Sequence, residues 1–272
     1  MWALLAVLTI GTAPVPPLQL NAICFAIGGA IGLVWTARRG FGVLRGVGWR
    51  VYAFGALGLF GAHFLYFTAF RLAPMAETGL IAYLWPILIV LLSGLLPGER
   101  VLPLHVLGAV LAFIGAGLVV VRGGFAVEAS ALPGFAVALV FALVWAAYSV
   151  LSRRLGKVPT EAVTIYCLAA AGLSLVAHLA FETTAWPVGA AGWASAVGLG
   201  LGPVGLAFFA WDVGMKRGDI QVLGVASYAA PLLSTLALIV AGPPEATPML
   251  LAAAVLITGG AALAARASLK KT

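Results

Sequence analysis

Charge is scarce in this chain. Asp, Glu, Lys and Arg make up 8% of its 272 residues against 63% hydrophobic ones, and the mean hydropathy is +1.14. A soluble domain carries roughly 25% charged residues, so water is not the main solvent for this surface. Cysteine is nearly absent. Cys24 and Cys167 each stand alone in an apolar segment, which argues against a disulfide framework or a metal site and leaves two small packing residues. No Walker loop is present, hence no ATP site of the chain's own. The apolar stretches lack a nucleophile–base pair, a paired-aspartate arrangement and a His-Glu metal motif, so an intramembrane enzyme is the distant alternative. The expectation is therefore no enzyme, no catalytic residue, no metal and no cofactor. A signal peptide is not expected either, since no basic start or cleavage site occurs and Pro14-Val-Pro-Pro17 reads as a turn.

What the chain does have is long apolar runs and 34 glycines. Glycine at that frequency suits membrane helices that pack through small residues. A span needs roughly 20 mostly apolar residues. Breaks at charged and Gly/Pro-rich points give ten candidates, at about 2–13, 18–37, 50–70, 77–95, 102–121, 132–152, 160–181, 190–214, 220–240 and 247–265. With the amino terminus in the cytoplasm, Arg38, Arg39, Arg45, Arg50, Arg100, Arg153, Arg154, Lys157, Lys216, Arg217, Arg266, Lys270 and Lys271 fall inside. Only Arg71 and Arg122 fall outside, while Glu77, Glu128, Glu182 and Glu245 lie on that outer face. Lys and Arg mark cytoplasmic loops, so both termini are expected there. The net charge of +7 follows from this distribution and does not call for nucleic acid.

The chain also repeats itself. Trp2 and Cys24 recur as Trp145 and Cys167, Tyr83-Leu-Trp-Pro86 recurs as Tyr228-Ala-Ala-Pro231, and Pro97-Gly-Glu-Arg has a weaker echo at Pro243-Pro-Glu245. Five spans per repeat is an odd number, so the second half enters the bilayer upside down. Such inverted repeats mark transporters that alternate access about a midplane site. The expected halves are 1–127 and 128–272, together forming one all-α bundle of ten transmembrane helices. The first span is short, and aligning Trp2 with Trp145 suggests that the sequence begins midway along helix one, with a genuine half-helix as the alternative.

These five-plus-five helices, the Pro74-Met-Ala-Glu-Thr junction and Gly98-Glu-Arg resemble the drug/metabolite transporter superfamily, EamA type. Tyr83-Leu-Trp-Pro86 with the aromatic segment Phe64-Leu-Tyr-Phe67 is most similar to its YddG-like aromatic amino acid exporters. The second half departs from the pattern, with Gly218-Asp219 for Ala73-Pro74 and no basic residue after Glu245. The resemblance implies export of small amphipathic metabolites, chiefly aromatic amino acids, across the bacterial inner membrane. Multidrug or cationic-compound efflux is the alternative, and it would want a buried acid facing the cavity. The partners expected are the small-molecule substrate and the lipid bilayer, with a monomer as the simplest state.

Ionisable and aromatic groups inside a span are the residues to weigh. His63 lies well inside the third span, with Tyr66, Phe67 and Phe70 following at helical spacings. On the sixth, Phe141, Trp145, Tyr148 and Ser152 form one stripe. Tyr83 and Trp85 are two apart, roughly 200° around an ideal helix, so a regular helix cannot aim both at one cavity. Pro86 offers a way out by loosening the preceding turn, and Pro231 repeats that weakness in the other half. Freed carbonyls would suit an ammonium, and a helix amino end would suit a carboxylate. The expected substrate-binding residues are thus His63, Tyr66, Tyr83, Trp85, Trp145, Tyr148 and Tyr228, with Pro86 and Pro231 as gating hinges. His105 and His178, close to span ends, are expected to meet headgroups or water. Asp212 reads as an interfacial charge paired locally, near Lys216.

Overall fold

The computed structural model describes residues 1–120, 129–233 and 248–270. Arg122, Glu128, Lys271 and the Pro243-Pro-Glu245 echo lie outside the described residues, as do the outer ends of the fifth, ninth and tenth expected spans. Among the described residues every regular element is helical: α1 (Leu5–Gly11), α2 (Pro17–Arg39), α3 (Trp49–Leu72), α4 (Met75–Ala82), α5 (Trp85–Ser93), α6 (Pro103–Val120), α7 (Leu132–Arg153), α8 (Ala162–Phe181), α9 (Gly189–Leu201), α10 (Ala207–Arg217), α11 (Ile220–Ala226) and α12 (Pro248–Leu269). Among the described residues six stretches are long and apolar enough to cross a bilayer, and three shorter apolar ones run Glu77–Ser93, Pro103–Leu118 and Ile220–Leu233.

Proline and glycine set several helix ends. Pro17 and Pro103 sit in the first turns of α2 and α6, where a missing N–H is no loss. Gly40 ends α2 with φ +83°, a conformation that favours glycine. The second half's departure at Gly218-Asp219 keeps its structural role. Asp219 caps α11 by accepting from the Gln221 and Val222 amides at 3.0 and 2.9 Å, while Pro74 stands at the same cap position before α4.

Two compact units emerge, and each draws on both halves of the sequence. The first comprises Met1–Phe64 and Leu155–Val213, the second Leu65–Arg154 and Gly214–Thr272. In the first unit α2 packs along α8 and against α9, and α1 rests on α9. The α2–α8 seam is bridged by polar pairs: Asn21 Nδ2 donates to Ser174 Oγ at 2.8 Å, and the Thr36 and Thr164 hydroxyls meet at 3.1 Å. At one end of that seam the Glu182 carboxylate accepts from the Leu18 and Gln19 amides, each at 3.1 Å, capping the amino end of α2 from another helix. His178 Nδ1 donates to the same carboxylate at 3.0 Å, and its Nε2 meets Thr184 Oγ1 at 2.9 Å. Arg39 pairs with Glu161 at 2.7 Å toward the other end of α2.

The second unit is held differently. Its core is the α6–α12 seam, lined by Ala109, Ala112 and Ala116 with Ala253, Ile257 and Ala264. Gly108 and Gly260 let the two backbones touch, since a Cβ on either would run into the other's carbonyl oxygen. His105 closes one end of the seam. Its Nδ1 accepts from the Leu102 amide at 3.0 Å and its Nε2 reaches Ser268 Oγ at 3.1 Å.

The two histidines correct the sequence reading. Both are buried and bonded to protein rather than to headgroups or water, because each completes a helix-end hydrogen-bond set that lipid could not supply. Asp212 is buried as well, and its carboxylate accepts from Thr160 Oγ1 at 2.8 Å.

Candidate substrate site

The expected fourth span is two helices. Pro86 cannot donate to the Ala82 carbonyl, so α4 ends at Ala82 and the chain passes through Tyr83 (φ −67°, ψ 7°) and Leu84 before α5 begins at Trp85. The Leu84 amide bonds back to Ile81 O at 3.0 Å, three residues rather than four. This break resolves the geometric conflict between Tyr83 and Trp85. Tyr83 packs against the α6–α12 core, whereas Trp85 is buried against α7.

There Trp85 meets Trp145 edge to face, with ring centroids 6.4 Å apart. Trp145 stacks on Tyr148 at 5.4 Å and 27°. Further along α7, Phe141 meets Tyr66 of α3 at 5.1 Å, and Tyr66 also contacts Phe70 at 4.6 Å. The α7 stripe is therefore a continuous wall of π-faces with indole and phenol groups at intervals. Offset and edge-to-face arrangements of this kind are worth about 0.5–1.5 kcal/mol per pair beyond burial, so the wall holds its shape without a ligand.

The second broken helix lies beside the first. α11 ends at Ala226, turns through Ser227 and Tyr228, and is helical again before Pro231, which is buried. Gly224 rests on the Pro86 carbonyl and on Ile89 and Val90. Tyr228 is fully buried, packs edge to face on Phe113 at 6.0 Å, and accepts the Ile87 amide on its hydroxyl at 3.2 Å.

His63 belongs to the first unit. Its Nδ1 donates to Leu59 O at 2.8 Å, which in the neutral ring makes Nε2 an acceptor. Phe25 and Phe208 frame the imidazole edge-on at 5.0 and 5.2 Å. Phe208 follows a π-helical turn, Gly202–Leu206, whose Pro203 carbonyl takes the Trp2 indole N–H at 2.9 Å. Periodicity could not disclose that turn. Sequence reasoning also missed a polar joint in the second unit. Arg153 Nη2 pairs with Glu99 Oε1 at 2.8 Å, and Nη1 donates to the Met215 and Gly218 carbonyls at 2.8 and 2.7 Å. Gln221 Nε2 reaches Ser93 Oγ at 2.8 Å and Glu99 Oε2 at 3.2 Å. Its one visible signal was Glu99 within Gly98-Glu-Arg.

Apolar helices broken in mid-run, most buried polar groups bonded within the protein and an aromatic wall beside one break mark a polytopic membrane protein. The EamA-like transporter family model matches residues 1–121 and again 132–266, once on each half. The chain belongs to that family. It is 52% identical over 270 residues to the aromatic amino acid exporter YddG of Ancylobacter novellus, covering 97% of this chain and 93% of that protein. The Escherichia coli protein of the same name is 29% identical over 177 residues, 58% of this chain and 56% of that one. A solved crystal structure superposes with a TM-score of 0.94 at 50% identity, covering 99% of this chain and 94% of the other. The protein is therefore a multi-pass transporter of the bacterial inner membrane and not an enzyme.

Proposed function

We propose that this transporter exports aromatic amino acids by alternating access through a central cavity, with Trp85, Trp145, Tyr148 and Tyr66 receiving the substrate ring. The observation that carries this is the Trp85–Trp145–Tyr148 wall, in a chain half identical to a protein named for that activity. Indole and phenol faces stack on an aromatic side chain, and their N–H and O–H groups hydrogen-bond its polar end. His63 is a separate candidate in the first unit, as a polar group for the substrate or as the coupling group. Tyr83, at the break, is a further candidate for contact with the substrate. Pro86 and Pro231 serve as hinges, since neither can donate to the carbonyl four residues back. The frame for this cycle is ten spans in two inverted five-helix repeats, 1–127 and 128–272, with both termini cytoplasmic. The basic residues of the loops support it.

The test is reconstitution in liposomes with labelled phenylalanine, tryptophan and leucine and a cationic dye, with and without a pH gradient. Preferential transport of the two aromatic amino acids is the expected result. Preference for the dye would favour drug efflux instead. Transport that remains coupled to a pH gradient after His63→Gln would remove His63 as the coupling group.

A further inference from the structure

We propose that Tyr228 is a positioning residue for aromatic selection: its hydroxyl, by accepting the Ile87 N–H, holds the α4–α5 break in the shape that presents Trp85 to Trp145. The proposal rests on the reading that this tryptophan pair receives the substrate ring.

The need for such a strut follows from the break itself. A helix start leaves its first amides without intrahelical acceptors. At α5 the residue before the first turn is Leu84, whose side chain supplies no cap, and Pro86 has no N–H at all. Ile87 is therefore an amide of the first turn that needs an acceptor where lipid and a dry core offer none. Tyr228 supplies it from the other broken helix at 3.2 Å. The phenol is held rigidly, being fully buried with its ring edge-to-face on Phe113.

The same helix touches α5 one turn earlier, where Gly224 meets the Pro86 carbonyl. Gly224 on α11 and Tyr228 in the turn that follows it thus fix two successive residues of the first turn of α5. Trp85 opens that turn, so its ring direction is set by how the turn is held. Tyr228 itself lies in the break of its own helix, which ties the two breaks together: reshaping one must move the other.

Tyr228→Phe keeps the ring and removes only the hydroxyl. The readouts are the melting temperature in detergent, the phenylalanine-to-leucine transport ratio in liposomes, and the substrate-free circular-dichroism band of the Trp85–Trp145 pair. That band is taken as the component lost in Trp85→Phe. The expected result is a folded protein melting within about 4 °C of the parent. It should have a weakened tryptophan-pair band and a transport ratio about threefold to tenfold lower. If Trp85→Phe abolishes the preference while Tyr228→Phe leaves band and ratio intact, the strut is overturned and the site reading stands. If Trp85→Phe leaves the preference intact, the site reading fails and takes the strut with it. A lower ratio with an unchanged substrate-free band would mean that Tyr228 touches the substrate itself, which also overturns the proposal. Should Tyr228→Phe not fold, Gly224→Ala presses on the same joint through the Pro86 carbonyl. It must then shift band and ratio in the same direction, and no shift in either overturns the strut.

Discussion

The two compact units solve one problem by different chemistry. Each is built on a helix packed along its counterpart about 144 residues later, α2 on α8 in the first and α6 on α12 in the second. Helices in lipid gain little from apolar burial against one another, so close van der Waals packing or interhelical hydrogen bonds must hold them. Along the α2–α8 seam, where Gly29 and Gly32 also sit tight against Leu168 and Thr164, the first unit adds hydrogen bonds: Asn21 with Ser174, Thr36 with Thr164, and Glu182 with the α2 amides and His178. The second leans on backbone approach, with glycine and alanine along nearly the whole seam. Polar bridges fix register one bond at a time and can be lost singly. A small-residue seam has no such graded failure, because a single Cβ in the wrong place separates both helices.

The sharpest test of that contrast is Gly108→Leu. With the Gly260 carbonyl where the new Cβ must go, α6 and α12 have to part, and loss of folded protein in fluorescence-detected size-exclusion chromatography is expected. A monodisperse variant with parental melting behaviour would show that the seam is not what holds the second unit. Next in size is Trp145→Ala, which removes the ring shared by Trp85 and Tyr148. Phenylalanine transport should fall at least about tenfold, the effect of losing roughly 1.4 kcal/mol or more of ring contact. Normal flux in vesicles would separate the wall from the cargo.

The two arginine–carboxylate pairs come third. Arg153 is mostly buried and also binds two carbonyls, so Arg153→Met should destabilise by about 1.5–3 kcal/mol. Arg39 has 61% of its side chain exposed, and Arg39→Met should cost no more than about 1 kcal/mol. Equal melting shifts for the two would erase the distinction. The smallest effect belongs to Asn21→Leu. One bond to Ser174 is lost, but the Asn21 Oδ1 it also removes is buried without a hydrogen-bond partner. A change of about 0.6 kcal/mol is expected in thermal unfolding, and a collapse like that of Gly108→Leu would contradict the one-bond-at-a-time picture.

Much of this was legible beforehand, for physical reasons that can be named. Long apolar runs disclose membrane helices because lipid demands them. Pro86 disclosed the break between Tyr83 and Trp85 because proline withholds one donor at a known place. The α7 stripe was visible because Phe141, Trp145 and Tyr148 recur at helical spacing. The composition of the units was not visible. Which helices pair depends on small residues such as Gly108 and Gly260, separated by most of the chain and indistinguishable locally from other glycines. His105 and His178 misled for a similar reason: position near a span end says nothing about whether an amide or a carboxylate of the protein waits there. The Arg153 joint was hidden because its acceptors at Met215 and Gly218 are backbone carbonyls, which no side-chain motif records.

The π-helical turn at Gly202–Leu206 has a consequence for how the halves came to differ. Cys24 to Tyr83 is 59 residues, whereas their counterparts Cys167 and Tyr228 are 61 apart. A π turn spends five residues where an α turn uses four, so it swallows one surplus residue inside a helix while the segments on either side keep their faces. The turn thus takes up one of the two extra residues of the second copy. It lies in the stretch that carries Phe208 to the imidazole of His63, while the corresponding part of α3 runs through as ordinary helix. The second copy is longer here by two residues, and the one taken up inside the helix leaves the two repeats with different interiors around His63.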